Sequence, residues 1–491
     1  MLSNFINTAT QEPEKVFANE YRRNSSDTFI EKSIKYKELL QFASVLENQL
    51  GQSNFDKSLG IFIDNRLEFT SAFLGAILNG YTVVAMCTQM NKAEIKKIIY
   101  DNNIEIILTV KDFSIQFDNI EIELFFLDDA IYPNLSSYSK FQHVKFNEED
   151  IAVVSYTSGT SATFSKGVRL SFKNISFVSH EYKRLYSMDI SSSIITVLPL
   201  WHNYAMFACL TSSIVAGAKL IIMQEWNYVD FIDICMRYKP DIFPGSPYMY
   251  IDIIDKSNNF VDLSSLRVCD SGGDSLPLEC IKKFEEKTNV VITEGYGLTE
   301  TTSLTHFNMS ARERLPGTLG KPISEVECKI KDLDNNELPT NQWGVLWIRG
   351  PMVFKGYVNN DTLTNMVLVN GWLNTGDVVK VDNNGFYHIA GRLSDIQSLS
   401  AYEHNVREIE SILYKFDGVK RVHVQKANKT DTDFEAYNIF LEVKQNINKS
   451  EVYDFIGINL KNIALNRIEF LETIPTTSTG KIKRNQLSGE V

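Results

Sequence analysis

The first half of the chain alternates apolar runs with amphipathic stretches. The run LGIFIDN, which begins at Leu59, predicts a buried strand that ends in polar residues, and residues 67–78 predict a helix. The pattern continues with strands at 81–86 and 104–110 and a helix at 92–100 between them. Strands that alternate with helices in this way are typical of a parallel sheet covered by helices.

A second alternation of the same kind begins near residue 194. Strands are predicted at 194–198, 219–223 and 242–243, and helices at 205–215 and 228–238. Together the two blocks predict two linked α/β subdomains, each built on a mainly parallel sheet.

Past Gly317 the pattern changes to short strands divided by polar turns, which predicts an antiparallel β region. The last segment, of about a hundred residues, mixes helices with strands and has the size of a small α+β domain. We therefore expect an α/β protein with two domains. The large N-terminal domain, residues 1–392, would hold two helix-covered, mainly parallel sheets plus a β-rich subdomain, and residues 393–491 would form a small mobile α+β domain.

The composition is that of a globular protein too long for a single core. Of its 491 residues, 44% are hydrophobic and 22% charged. A net charge of −12 without a dense basic face argues against a nucleic acid partner. Six irregularly spaced cysteines suggest neither a disulfide framework nor a zinc site. The chain shows neither a signal-peptide pattern nor an apolar run long enough to span a membrane, so we expect a cytoplasmic protein with no membrane partner.

The stretch VSYTSGTSATFSKGV, residues 154–168, joins an apolar strand to a loop of hydroxyl and small residues that ends in a lysine. Small residues let backbone N–H groups converge on an anion, while hydroxyls and a lysine add donors and charge. The stretch thus predicts a polyphosphate cradle made by Thr157, Ser158, Gly159, Thr160, Ser161 and Lys166. It is not a Walker loop, because Ser165 and Gly167 flank the lysine. The alternative is a Ser/Thr-rich turn between two strands.

Three further stretches carry candidate chemistry. In EGYGLTETT, residues 294–302, two glycines let the backbone approach a ligand, Tyr296 offers a flat ring, and Glu300 is a hard ligand for Mg²⁺. In residues 371–392, Asp377 can bind both hydroxyls of a ribose and Arg392 can add donors. Near the end, PTTSTGKIKRNQL places Lys481 on a Ser/Thr/Gly turn. Taken singly, these stretches could equally be a Gly-rich turn or a solvated basic tail.

In this order, the four stretches resemble the motifs of the adenylate-forming superfamily, which includes acyl- and aryl-CoA synthetases, peptide-synthetase adenylation domains and luciferases. The resemblance extends over nearly the whole chain through YKELL at 36–40, LPLWHNY at 198–204, SGGDSLP at 271–277 and GVLWIRGPMVFKGY at 344–357. The chain is most similar to stand-alone members that activate aryl or acyl acids. The resemblance implies that ATP converts a carboxylic acid into an acyl-adenylate with release of pyrophosphate. Transfer to the pantetheine thiol of coenzyme A, or of an acyl or aryl carrier protein, would follow.

The resemblance also assigns roles to residues of this chain. The loop from Thr157 to Lys166 would hold the β- and γ-phosphates, and Mg²⁺ would be bound by Glu300 and Thr160. Tyr296, between Gly295 and Gly297, would lie against adenine, Thr299 would contact the α-phosphate, and the ribose would be bound by Asp377 and Arg392. Lys481 would bridge the carboxylate and α-phosphate, acting with Glu300 and His202. The acid would be bound by His202, Asn203, Tyr204, Gly272 and Gly273. The small domain would rotate about a hinge at 393–395 between the two half-reactions.

Two segments depart from the superfamily pattern. The phosphate loop is one residue longer, with Ser161-Ala162 in place of Thr-Gly and Ser165 in place of Pro. After the hinge, Ser398 and Ala401 stand where relatives usually have lysine and glycine. Ala401 adds a methyl group where a pantetheine arm would pass the backbone, which places a carrier-protein thiol slightly ahead of coenzyme A as acceptor.

The residue at position 203 bears on the choice of acid. Amino-acid-activating members carry an aspartate there for the substrate ammonium, whereas this chain has Asn203. An amide can hydrogen-bond a hydroxyl but cannot neutralise an ammonium, so an aryl or acyl acid is expected ahead of an amino acid. A second interpretation makes Asn203 the cap of the helix predicted from Ala205. Two alternative functions stay open: an amino-acid-activating adenylation enzyme, and a non-catalytic descendant that binds nucleotide or acid.

Overall fold

A computed structural model provides the structure of the protein. It describes residues 1–23, 29–130, 144–157, 165–257, 261–308, 313–393, 406–427, 436–444, 447–461, 463–477, 480–483 and 486–487, with only the backbone for 129 and 130. Among these residues, every helix is too short or too polar to cross a lipid bilayer.

The strands of the described ranges follow one another along the chain as β1 (Val16–Arg23), β2 (Phe29–Lys35), β3 (Ser58–Phe62), β4 (Thr82–Ala85), β5 (Ile106–Thr109), β6 (Glu123–Phe126), β7 (Ile151–Tyr156), β8 (Gly167–Ser171), β9 (Ser193–Thr196), β10 (Lys219–Met223), β11 (Ile242–Gly245), β12 (Val268–Gly272), β13 (Ile292–Tyr296), β14 (His306–Phe307), β15 (Lys321–Pro322), β16 (Glu327–Lys331), β17 (Gly344–Arg349), β18 (Leu368–Val369), β19 (Trp372–Val381), β20 (Tyr387–Arg392), β21 (Val419–Lys426), β22 (Ala436–Val443) and β23 (Ala464–Leu471).

The helices of the same ranges are α1 (Leu2–Gln11), α2 (Tyr36–Leu50), α3 (Leu67–Leu78), α4 (Lys92–Asp101), α5 (Leu127–Ala130), α6 (Phe172–Leu185), α7 (Asn203–Ala205), α8 (Ser212–Ala216), α9 (Tyr228–Tyr238), α10 (Pro247–Lys256), α11 (Leu278–Thr288), α12 (Asp361–Val367), α13 (Val406–Leu413) and α14 (Lys449–Asn459). A π-helix at Met206–Thr211 joins α7 to α8, and 3₁₀ turns lie at Lys111–Phe117 and Thr299–Thr301.

A nine-stranded sheet with the order β15-β14-β13-β12-β11-β9-β10-β1-β2 carries most of the site. Its central pairs are parallel, and the strands at both edges run antiparallel. Parallel strands covered on both faces need apolar side chains throughout, which is why β10 reads KLIIM and is buried over four of its five residues. The carboxyl ends of β11, β12 and β13 meet at one edge, where Gly272 is the register partner of Gly295.

A six-stranded sheet with the order β6-β5-β3-β4-β7-β8 forms the second layer. It is parallel except for the hairpin of β7 and β8, which pairs Tyr156 with Gly167 and flanks the predicted phosphate loop. Helix α3 contacts strands of both sheets, and all twelve of its residues are buried. A helix that is buried on every side lies inside a core, so α3 fixes the two sheets against each other.

The β-rich region is a five-stranded antiparallel sheet with the order β16-β17-β19-β18 and with β20 paired to β19. Asp377 and Arg392 are register partners across β19 and β20. The C-terminal segment forms a three-stranded sheet, β21-β22-β23, with α13 and α14. The α/β class with two mainly parallel sheets is confirmed, as is the antiparallel region. The division at residue 392 stays a prediction, and residues 394 and 395 of the predicted hinge lie outside the described ranges.

Candidate active site

A buried carboxylate on β19 is the centre of one polar cluster. The side chain of Asp377, which is 5% exposed, accepts a hydrogen bond of 2.5 Å from the Tyr296 hydroxyl and pairs with Arg392 Nε at 3.0 Å. Arg392 is held in turn by a bond of 2.9 Å from its NH1 to the carbonyl of Thr375. Burial raises the pKa of Asp377, although Arg392 and Tyr296 favour its ionised form. A fixed carboxylate beside a guanidinium suits a vicinal diol, because its oxygens can accept from both hydroxyls.

The ring of Tyr296 is positioned by its neighbours. It lies against the buried His306, with ring centroids 5.6 Å apart, and His306 packs on Tyr387 at 4.5 Å. Burial lowers the pKa of His306 to about 3, so this imidazole is neutral and acts as packing. Gly297, next to the tyrosine, is required sterically, because a Cβ there would lie 2.1 Å from the carbonyl oxygen of Ser303.

Glu300 faces the hairpin that carries the predicted phosphate loop. Its Oε1 accepts a hydrogen bond of 2.7 Å from the hydroxyl of Tyr357, and Lys166 Nζ lies 5.5 Å from the centre of the same ring. The amide of Thr157 donates to the carbonyl of Lys166 at 3.0 Å, which closes the base of the loop. Tyr357 thus links the two motifs. Ser158, Gly159, Thr160 and Ser161 of the same motif lie outside the described residues.

Lys481 reaches the carboxyl edge of the nine-stranded sheet from the C-terminal segment. A Cβ built on Gly273 would lie 3.8 Å from Lys481 Cε, and the backbone of Gly480 is packed against the side chains of Tyr248 and Ser246. The turn that carries the lysine is closed by a bond of 2.7 Å from the amide of Thr477 to the carbonyl of Lys481. Residues some 200 positions apart are therefore brought to one point.

His202 lies in the same place and is neutral. Burial, with a smaller contribution from the charge of Lys481, lowers the pKa of His202 to about 3. Its Nδ1 accepts from the amide of Tyr204 at 3.3 Å, so the ring proton is assigned to Nε2, which can donate to a ligand oxygen. This bond makes His202 the N-cap of α7, and the helix begins at Asn203. The interpretation of Asn203 as the cap of a helix from Ala205 is therefore wrong.

The side-chain amide of Asn203 contacts the motif EGYGLTETT instead of capping a helix. Its Nδ2 donates to the carbonyl of Thr299 at 3.3 Å. Its buried Oδ1 has no hydrogen-bonding partner among the described residues. The predicted acid-binding residue thus holds the 3₁₀ turn of Thr299 and Glu300 with one end and presents an acceptor with the other.

A second buried carboxylate, Asp270, lies next to the acid-binding residues and was not predicted. Its Oδ2 accepts hydrogen bonds from the hydroxyls of Tyr204, at 2.8 Å, and Tyr186, at 2.6 Å. The ring of Tyr204 fills the space over Gly272, where a Cβ would meet it at 2.9 Å. Asp270 immediately precedes the motif SGGDSLP. A charged residue inside the buried strand VCDSG is the sequence signal that could have identified it.

Asp270 makes the stability of the protein pH-dependent. Burial raises its pKa to about 6 from 3.8, while the hydroxyls of Tyr186, Tyr204 and Thr293 oppose the shift. Tyr250 and Glu294 also face the group. An acid whose pKa is raised by folding stabilises the native state below its unfolded pKa and loses this effect as pH rises through the folded value. We expect the free energy of unfolding to fall by on the order of 3 kcal/mol between about pH 4 and pH 6 from this group.

Urea unfolding of Asp270→Asn between pH 4 and pH 8 measures this contribution, with Asp262→Asn as the surface control. Asp262 is an exposed acid whose Oδ1 accepts a bond of 3.0 Å from the amide of Ser264, a contact that asparagine keeps. We expect the free energy of unfolding to depend less on pH in Asp270→Asn than in the wild type, and Asp262→Asn to behave like the wild type. The same dependence on pH in the wild type and Asp270→Asn would contradict this expectation.

These groups fit a nucleotide with a divalent cation. Contacts join these groups in space: Asp377, which pairs with Arg392, accepts a hydrogen bond from Tyr296, and Glu300 and Lys166 both lie against Tyr357. No set of three His, Cys, Asp or Glu side chains is gathered for a metal within the described ranges. A single carboxylate such as Glu300 suits Mg²⁺, which keeps several waters and takes other ligands from substrate phosphates.

Comparisons with known proteins agree with this geometry. The model of the family described as "AMP-binding enzyme" matches residues 7–358. A long-chain-fatty-acid–CoA ligase of Bacillus subtilis (strain 168) is 32% identical over 352 residues, which cover 70% of this chain and 62% of that protein, less than two thirds of its length. A 4-coumarate:CoA ligase 1 of Petunia hybrida is 30% identical over 474 residues, 90% of this chain and 85% of the relative.

Among solved structures, the anthranilate CoA ligase AuaEII in complex with anthranoyl-AMP superimposes with a TM-score of 0.87. The superposition covers 99% of this chain and 96% of that chain at 21% identity. A likeness at this identity establishes the fold.

Proposed function

The chain belongs to the AMP-binding enzyme family, and on that premise we propose that it uses ATP to activate an aryl or acyl carboxylic acid as an acyl-adenylate, with release of pyrophosphate. The acyl group then passes to a pantetheine thiol. One observation carries the proposal: the side chain of Lys481 lies next to Gly273, close enough for its charge to act on His202, at the edge of the sheet that also holds Tyr296.

In the first half-reaction, a carboxylate oxygen attacks the α-phosphorus of ATP and pyrophosphate leaves. Two anions must approach each other, so positioning and charge neutralisation supply the catalysis. Lys481 would neutralise the carboxylate and an α-phosphate oxygen together, and the Nε2 proton of His202 would orient the acid. Thr299 would contact the α-phosphate from the 3₁₀ turn that Asn203 holds.

The nucleotide would be held by residues of four separate segments. Asp377 and Arg392 would bind the ribose, while Tyr296, Gly295 and Gly297 would line the adenine. Lys166 and the loop from Thr157 would hold the outer phosphates. Glu300 and Thr160 would hold Mg²⁺, which neutralises phosphate charge when bound.

The thiol acceptor is proposed to be coenzyme A or a carrier-protein phosphopantetheine. The relatives are named as CoA ligases, which supports coenzyme A. Ser398 and Ala401, which favoured a carrier protein, lie outside the described residues. Residues 393–491 are proposed to act as the mobile domain that withdraws Lys481 before the thiol arrives. Parallel product analysis with coenzyme A and a phosphopantetheinylated carrier protein would separate the two acceptors.

Acid-dependent exchange of labelled pyrophosphate into ATP tests the first half-reaction directly. The purified chain with Mg²⁺ is screened against benzoates, fatty acids and amino acids, with reactions lacking acid or Mg²⁺ as controls. We expect exchange with at least one aryl or acyl acid and none in either control. Nucleotide binding without exchange for any acid would support the non-catalytic alternative, and strict preference for α-amino acids would support the amino-acid-activating one.

A further inference from the structure

The carboxylate of Asp270 lies beyond the acid-binding residues, away from Lys481. Gly273 faces Lys481, Gly272 lies under the ring of Tyr204, and Asp270 precedes Gly272 by two residues on the same face of β12. Side chains two apart along a strand point the same way, so Gly272 and Asp270 lie on one line that runs from the end of β12 into the core. We call this line, from Gly273 to Asp270, the path. The reacting end is marked by Lys481 and the far end by Asp270.

The floor of this path lacks side chains. Gly272 and Gly295 are register partners across β12 and β13, and both are on the face that carries Asp270. Tyr204 covers the first of them, whereas a Cβ on Gly295 would lie 3.4 Å from both carboxylate oxygens of Asp270. The ring of Phe307 borders the same space at 3.5 Å, so glycine at position 295 keeps side-chain atoms off this side of the carboxylate.

The carboxylate at the end of the path is not fully satisfied. Both tyrosine hydroxyls donate to Oδ2, the hydroxyl of Thr293 lies near enough to favour the ionised form, and Oδ1 has no partner within hydrogen-bonding distance among the described residues. Asp270 is fully buried, and none of the described Lys, Arg or His side chains forms an ion pair with it. A buried carboxylate oxygen without a donor destabilises the protein, because its lost hydration is not replaced. A ligand that supplies a donor recovers most of this free energy on binding.

A second acceptor of the same kind lies beside the path. Asn203 directly precedes Tyr204, and its Oδ1 is buried and unpartnered among the described residues. Asp270 Oδ1 and Asn203 Oδ1 are thus two acceptors next to the predicted acid site that need a donor, while the hydroxyls of Ser246 and Ser271, unpartnered in the same ranges, can either donate or accept. Hydrocarbon would leave both acceptors unpaired, and the rings of Tyr204 and Tyr186, anchored to Asp270, stand in the way of a long chain.

From this arrangement we infer that the acid activated at the proposed site is short and carries a hydrogen-bond-donating group, ammonium or hydroxyl, far from its carboxylate, and that Asp270 Oδ1 accepts from it. The inference rests on the proposed function. It separates this chain from the relative named a long-chain-fatty-acid–CoA ligase. A site built to hydrogen-bond a substrate group rejects analogues that lack the group far more strongly than an apolar pocket rejects a small change in size.

Pyrophosphate exchange with matched acids tests the inference. One series is hexanoate, 6-hydroxyhexanoate and 6-aminohexanoate, a second is benzoate with its hydroxy and aminomethyl derivatives, and palmitate represents long chains. We expect kcat/KM at least tenfold higher for the best donor-bearing acid than for its apolar partner, and no activity with palmitate.

The outcomes of this comparison distinguish the donor groups. Preference for the amine identifies the donor as an ammonium, and preference for the alcohol identifies it as a hydroxyl. Apolar acids that equal or exceed their donor-bearing partners would overturn the inference while leaving the adenylation activity established; no exchange with any acid would refute the proposed function itself.

Two variants place the effect at Asp270. Asp270→Asn should reduce the preference for the donor-bearing acid at least tenfold through KM of the acid, with KM for ATP unchanged. Gly295→Ala, whose methyl group would make an ordinary contact with the carboxylate, should raise KM for donor-bearing acids in a chain that keeps Asp270. Gly295→Ala tests the same assignment if Asp270→Asn does not fold. An unchanged preference in the folded variants would refute the assignment.

Discussion

Replacing Lys481 with alanine is expected to lower acid-dependent pyrophosphate exchange by about a hundred- to a thousandfold. The half-buried side chain lies beside Gly273, where the carboxylate and the α-phosphate are proposed to meet, and its positive charge is what the variant removes. The turn itself depends on backbone bonds between Thr477 and Lys481, which alanine keeps. The effect should therefore appear in kcat, with little change in thermal stability.

Lys483→Ala is the matched control, because it removes an exposed lysine two residues further along the same segment. Its exchange rate should stay within about twofold of the wild type, as expected for surface substitutions. Pre-formed acyl-adenylate supplied to Lys481→Ala should still react with the thiol, since the lysine is proposed to leave before that step. A Lys481→Ala enzyme with unchanged exchange would support the non-catalytic descendant and contradict the role given to this residue.

Replacing Asp377 with alanine is expected to raise KM for ATP by about a hundredfold, because two charge-assisted hydrogen bonds to the ribose would be lost. The side chain is almost fully buried and fixed by Tyr296 and Arg392, so little reorganisation accompanies nucleotide binding. The variant also leaves the Arg392 guanidinium without this partner and should lower the free energy of unfolding by about 1–3 kcal/mol. Calorimetric titration with ATP and steady-state kinetics measure the two effects.

Two controls isolate the carboxylate. Tyr296→Phe keeps the ring and removes only the hydroxyl that donates to Asp377, so we expect a smaller rise in KM for ATP. Asp382→Asn changes an acid in the turn between β19 and β20 while keeping the oxygen that accepts from the amides of Asn384 and Phe386, and should leave KM unchanged. If Asp377→Ala raised KM for the acid but not for ATP, the assignment of the ribose site would be wrong.

Local patterns predicted individual elements well where the apolar run was continuous. The helix at 67–78 and the strand at 219–223 agree with α3 and β10 at both ends. Other elements differ by a few residues, because the ends of strands depend on pairing partners. Strands β1 and β2 were missed, since β1 pairs with β10, some 200 residues away, and its sequence VFANEYRR has too many polar residues to read as a buried strand.

The site residues also divide into those that the sequence indicated and those that only distant contacts revealed. Tyr296, Glu300, Asp377, Arg392 and Lys481 were singled out from the chemistry of their motifs, and the superfamily resemblance added His202, Gly272 and Gly273. Neither source indicated Asp270 or Tyr357. Tyr357 belongs to a stretch already recognised, but its bond to Glu300 joins two motifs that are far apart in sequence. The cap on α7 is His202, because its ring nitrogen accepts from the amide of Tyr204. The side-chain amide of Asn203 is turned to Thr299 instead.

The sequence by itself determined the class of fold, the order of the motifs and the chemistry that each could perform, because these follow from side-chain type and short-range periodicity. The tertiary structure alone decided which motifs meet: Lys481 with Gly273, Tyr296 with Asp377, and Glu300 with Tyr357. It also decided the ionisation of the buried groups, since the pKa of His202 and of Asp270 is set by burial. Burial and long-range pairing are properties of packed elements, and no local run of residues specifies them.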